Sequence, residues 1–184
     1  MDKKFISVKT VVAIGIGAAL MFVLMRYVAV PTGIPNVNIN LGIAVLAIFA
    51  AIFGPIAGFL IGLIGHTLVD LTWGCGVWWS WVISSALFGC AVGLFSKYFN
   101  IEDGEFGLRQ CLIFNGVQIG VNALVWGVIA PTLDILIYSE PADKVYLQGI
   151  VAGASNMVVV LVLGSLLGFA YSKTRTRAGS LSKD

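Results

Sequence analysis

Charge is what this chain has least of. Only 11% of its 184 residues are Asp, Glu, Lys or Arg, while 59% are hydrophobic. An ordinary water-soluble domain carries about 25% charged residues, so that class is excluded. The chain is also short of the side chains that do chemistry. It has one histidine, His66, and three cysteines, Cys75, Cys90 and Cys111. There is no HExxH motif and no cysteine–histidine pairing, and the cysteines lack metal-ligand spacing, so no metal centre and no enzymatic activity is expected. An odd number of cysteines cannot all pair within one chain, and these read as small apolar side chains. No Walker A motif occurs, so any coupling to ATP has to come from a partner. No cofactor signature, internal repeat, low-complexity segment or cleavable signal pattern stands out. A ring of repeated pore residues is missing, which weakens an ion-channel reading. Sustained inside–outside alternation is missing too, which argues against a β-barrel.

What is present is a succession of apolar runs. A bilayer-spanning helix needs roughly 20 such residues. The chain is therefore expected to be an all-α integral membrane protein, a single transmembrane domain over residues 1–184. Its six spans are placed at about 11–29, 39–53, 56–71, 78–95, 111–130 and 147–171. The second and third are short and interrupted by glycine, which implies tilt, thinning or a site carved near one face. Pro131 is expected to close the fifth span, with residues 132–146 forming a loop whose Asp134, Glu140 and Asp143 are solvated. With six spans both termini share a side. That side holds Lys3, Lys4, Lys9, Lys97, Arg109, Lys173, Arg175, Arg177 and Lys183, against Arg26 and Lys144 opposite. The bias puts both termini in the cytoplasm of a cell whose plasma membrane holds the protein. The basic tail is then explained without a nucleic-acid partner.

The stretch that organises the rest is GPIAGFLIGLIGHTLVDLTWGCGVWWSW, residues 54–81. Within it His66 and Asp70 lie four apart and share a helix face. Trp73, Trp78, Trp79 and Trp81 crowd the connection that follows. By the topology above they meet the outer boundary, where Arg26 and the 31–40 loop also lie. The fifth span adds Gln118, Asn122 and Trp126, a stripe at a spacing of four, and the sixth adds Gln148, Ser155 and Asn156. Polar groups within spans are costly and usually face the bundle or a cavity. Each has a plain alternative: tryptophans as an interfacial belt, asparagines bonding across helices, His66 and Asp70 as a structural pair, Arg26 reaching to the surface. Their convergence on one half favours a cavity lined by His66, Asp70, Asn122, Trp126 and Asn156, with Trp73 and Trp79 as walls or lid. Aromatic plates, amides and one charge pair suit a planar, polar small molecule.

The first span carries small residues, with Gly15 and Ala19 four apart and Gly17 and Ala18 beside them. Such a face lets helices approach closely in lipid, either within the chain or on another membrane subunit.

These features come with a resemblance. The stretches AIGIGAALMFVLMRY (13–27), PTGIPN (31–36), FGPIAGFLIGLIGHTLVD (53–70), WWSW (78–81), APTLDILIYSEPADKVYLQG (130–149) and KTRTRAGSLSK (173–183) resemble the substrate-binding S components of energy-coupling factor (ECF) vitamin transporters, and within them the UPF0397 group. The resemblance implies a six-helix bundle that binds one vitamin or precursor near the extracellular side. It also implies docking, through the first helix, on a transmembrane coupling protein (EcfT) that sits on two ATPases. Carried onto this chain, the docking face is Ala13, Gly15, Gly17, Ala18 and Ala19. Gly15 and Ala19 match the family's alanine-xxx-alanine pattern loosely. Cargo candidates are hydroxymethylpyrimidine (the thiamine precursor, and the favoured one), riboflavin and cobalamin. The rival reading is a self-contained secondary carrier or a membrane assembly factor. A carrier of that sort is often built from two related halves, and the sequence shows none.

Overall fold

The computed structural model describes residues 7–74 and 76–175. Cys75, Lys3, Lys4, Arg177 and Lys183 lie outside the described residues. Among the described residues the fold is helical apart from one tiny hairpin. Helix α1 is Val8–Tyr27, begun by Ser7, whose Oγ accepts the Thr10 N–H at 3.1 Å. Strands β1 (Val30–Pro31) and β2 (Asn38–Ile39) pair antiparallel. Then come α2 (Gly42–Phe53), α3 (Pro55–Trp73), α4 (Trp79–Leu94) and the single turn α5 (Ser96–Phe99). Two long helices complete the fold, α6 (Leu108–Tyr138) and α7 (Ala142–Lys173). Helices α1, α3, α6 and α7 are long and apolar enough to cross a membrane, whereas α2 and α4 are shorter apolar helices.

Helix α2 explains its own shortness. Ten of its twelve residues are buried, and a helix that is apolar on every side belongs inside a structure. It is the core of the bundle, packed by α1, α3, α4 and α7. Gly54, at φ +85, turns the chain tightly into Pro55. That φ suits glycine, and proline is favoured at the first helical position, where its missing N–H costs nothing.

Glycine sets the closest helix contact. A Cβ on Gly58 would stand 2.2 Å from the Gly89 carbonyl oxygen, and one on Gly62 would stand 2.5 Å from that of Ser85. Gly93 abuts Gly54 and Pro55 in the same way. Helices α3 and α4 therefore touch backbone to backbone along their length, the arrangement small residues permit. This seam fixes the register that brings His66 to Ser85.

Two expectations are corrected. Pro131 does not close the fifth span. Residues Val125–Ile129 form a π-turn, and the helix continues through Pro131 to Tyr138. The widened turn shifts the hydrogen-bond register, so a residue without an amide hydrogen is accommodated directly after it. The link to α7 shrinks accordingly to residues 139–141, and α7 has its own π-turn at Val160–Gly164. Second, Asp134 is not a solvated loop charge. It sits on α6 and is 2% exposed.

Candidate functional site

At one end of the bundle, the end of α3, the start of α4, the part of α6 around and beyond its π-turn, the start of α7 and the hairpin loop surround a cavity of about 370 Å³. That size is at the lower end of small-molecule sites. Helix α3 supplies His66, Val69, Asp70 and Trp73, α4 supplies Trp81 and Ser85, and Trp78 stands just ahead of it. Asn36, Asn38 and Asn40 come from the hairpin and its flank. Trp126 and Asp134 project from α6, and Lys144, Gln148 and Asn156 from α7, with Glu140 in the link before it.

The walls are held by several groups of hydrogen bonds. His66 Nδ1 bonds with Ser85 Oγ at 2.7 Å across the α3–α4 seam. Its Nε2 stands 3.7 Å from Asp70 Oδ1, beyond hydrogen-bond range. Asp70 Oδ2 accepts the backbone N–H of Trp78 at 2.9 Å, tying the end of α3 to the start of α4. Asp134 is the busiest acceptor. Its Oδ1 takes the indole N–H of Trp78 at 2.6 Å and the hydroxyl of Ser80, and its Oδ2 takes the indole N–H of Trp81 at 2.7 Å. Three donors meet the needs of a buried carboxylate, whose desolvation would otherwise be costly. The same bonds orient both indoles. Trp78 in turn stacks on Tyr138, with centroids 4.2 Å apart, and Trp81 packs on Trp126 at 5.3 Å. The hairpin is pinned to α7 by Gln148 Nε2, which donates to the Pro35 carbonyl at 2.8 Å. Lys144 is paired with Glu140 at 2.5 Å. Arg26 stands beside the cavity, its guanidinium 4.6 Å from the Trp73 ring centroid, a cation–π distance.

Of the residues expected at the site, His66, Asp70, Trp73, Trp126 and Asn156 line this one cavity. Asn122 and Trp79 are not among its lining. Asn122 is fully buried one turn below Trp126, where its Nδ2 donates to the Gln118 backbone oxygen and to Gln118 Oε1. Trp79 is 48% exposed, and its backbone N–H goes to Tyr138 Oη. The sequence reading missed Asp134, Ser85 and the wall role of Trp78 and Trp81. The spacing of three between Trp78 and Trp81 was the available signal, since it places both on one side of a helix start.

The five small residues of the first span divide. Ala13, Gly17 and Ala18 are buried, and a Cβ on Gly17 would stand 2.6 Å from Ile61 Cδ1. Those three pack within the chain. Gly15 and Ala19 face outward, and among the described residues nothing lies within 4 Å of a Cβ built on Gly15. Among the described residues no group of three or more His, Cys, Asp or Glu is placed to hold a metal ion.

The ancestry of this arrangement is clear from comparison. The sequence profile of the ECF-type riboflavin transporter S component family matches residues 5–173. The chain belongs to that family. It is 54% identical over 184 residues to the UPF0397 protein of Streptococcus pneumoniae (strain CGSP14), with the whole of both chains covered. It is 51% identical over 183 residues to the UPF0397 protein of Lacticaseibacillus casei (strain BL23), covering 100% of this chain and 98% of that one. The UPF0397 protein of Clostridium perfringens (strain ATCC 13124) is also 51% identical, with both chains covered in full. No solved structure matches the chain significantly. As an S component, the protein is a membrane-embedded substrate-binding subunit of an ECF transporter rather than an enzyme.

Proposed function

We propose that this S component captures a planar heteroaromatic vitamin or vitamin precursor from the extracellular side and delivers it through EcfT and two partner ATPases. The observation that carries the reading is the cavity. Four indoles, of Trp73, Trp78, Trp81 and Trp126, line a space of about 370 Å³ together with the amides of Asn36, Asn38, Asn40, Gln148 and Asn156. Flat apolar faces take the ring, and amides take polar atoms at its edge. His66, Asp70, Trp73, Trp126 and Asn156 are the expected sequence-predicted contacts. Asn122 lies one turn from Trp126, bonded to Gln118, and Trp79 stands outside the lining. Riboflavin, which the family description names, and hydroxymethylpyrimidine both suit a cavity of this size better than a corrinoid such as cobalamin does.

In this reading α1, α2, α3, α4, α6 and α7 form one six-helix transmembrane domain with cytoplasmic termini, and the cavity opens outward. Gly15 and Ala19 form the part of the first helix that meets the coupling protein.

The experiment is uptake by proteoliposomes. With the coupling protein and both ATPases present, accumulation of the ligand retained by the purified chain, identified by mass spectrometry, should depend on ATP. Concentrative uptake by this chain alone would favour a self-contained carrier instead and overturn the reading.

A further inference from the structure

Among the described residues three carboxylates line the cavity, and they are not equivalent. Asp134 is engaged by two indoles and a serine. Glu140 is paired with Lys144. Asp70 differs from both. Its Oδ2 receives one backbone N–H, and among the described residues its Oδ1 receives no hydrogen bond, with His66 Nε2 at 3.7 Å as its ionic neighbour. An ionised carboxylate has about four acceptor positions, so Asp70 keeps open acceptor capacity at the cavity. The cationic side of the lining is thin. Among the described residues Lys144 is its one lysine or arginine and is already paired, while Arg26 lies over Trp73 outside the lining. His66 is bonded with Ser85.

We propose that Asp70 reads the ligand's charge, so that the cavity accepts neutral or cationic planar ligands with a donor group and rejects their phosphate esters. The inference rests on the cavity being the ligand site and adds to it a charge class. An entering donor or cation meets the open Oδ1 of Asp70 and the negative faces of indoles. A phosphate group meets like charge in a site partly screened from water, where repulsion is stronger than in bulk. Like-charge contacts of this kind discriminate strongly between partners.

Two matched pairs of probes test this by equilibrium dialysis against the purified full chain in detergent: riboflavin with flavin mononucleotide, and hydroxymethylpyrimidine with its monophosphate. In the pair that binds, the unphosphorylated member is expected to bind at least about 100-fold tighter, the scale of several kcal/mol set by like-charge juxtaposition. Asp70→Asn is expected to narrow that gap by about tenfold, a shift of one decade in relative affinity, and Asp70→Glu to preserve it. The ratio within a pair is the decisive readout, because a merely structural Asp70 would weaken both members equally and leave it unchanged. An unchanged ratio in Asp70→Asn overturns the inference. So does equal or tighter binding of the ester by the parent, above all if Arg26→Gln abolishes it. Either outcome leaves the cavity as the ligand site. Absence of binding by all four probes refutes the heteroaromatic reading itself, and the charge inference with it.

Discussion

At the scale of single residues the site is governed by Asp134. Its carboxylate is the common acceptor of Trp78, Ser80 and Trp81, which stand at the start of α4. In Asp134→Asn one oxygen can still accept, but the other position becomes an N–H facing an indole donor. One buried donor is then left unpaired, at a cost of about 1–3 kcal/mol. If the indoles form the ligand's walls, affinity should fall by about 5- to 150-fold on the scale where 1.4 kcal/mol is tenfold. Isothermal titration with the retained ligand measures this, and parental affinity in Asp134→Asn would show that the carboxylate does not set the walls. Asp134 could not be found from the sequence because Pro131 reads as a stop. A proline three residues upstream of an acidic residue suggests a loop unless a π-turn intervenes, and nothing in VWGVI announces one. The pair His66 and Asp70 was readable, because a spacing of four on an apolar helix has few interpretations. Trp126 and Asn156 were readable by depth as well. Asn122 was placed on the right face but belongs one turn further in, bonded to Gln118.

At the scale of elements, α1 makes the sharpest prediction, because its small residues face two ways. A leucine at Gly15 enters open space, whereas one at Gly17 must enter the space held by Ile61 and Phe49. Gly15→Leu should therefore fold and bind ligand like the parent while losing uptake in the complete transporter. Gly17→Leu should lose stability by about 1–3 kcal/mol or more, the usual cost of overpacking a core. Thermal unfolding and binding of both variants, alongside uptake, separate docking from internal packing. Normal uptake by Gly15→Leu would remove that residue from the docking face. The sequence identified the small-residue stripe but could not divide it. Which side of α1 meets α2 and α3 depends on contacts between helices: Met21 and Met25 of α1 against Gly42, Met21 against Gly65, and Ile61 of α3 against Gly17. The seam of Gly58, Gly62, Gly89 and Gly93 was not legible in sequence, because each glycine's mate lies on the other helix.

For the molecule as a whole, orientation remains the testable quantity. Asp103, ahead of α6, and Asp143, in the first turn of α7, are both exposed and lie beyond opposite ends of α6. With Cys75, Cys90 and Cys111 replaced by serine, Asp143→Cys should react with an impermeant maleimide on intact cells, and Asp103→Cys only after permeabilisation. The reverse pattern would invert the topology. Helix α2 carries a last consequence, for how the chain is made. At 1.5 Å per residue its twelve residues reach only about 18 Å, short of the roughly 30 Å hydrocarbon layer, and almost none of its surface is left for lipid to hold. Insertion machinery that judges one segment at a time has little reason to retain it alone. Its partners α3 and α4 are synthesised later, and α7 last of all. The core of this protein is therefore completed only when the final helix arrives, and a ribosome stalled before α7 leaves its most apolar helix without the wall that encloses it.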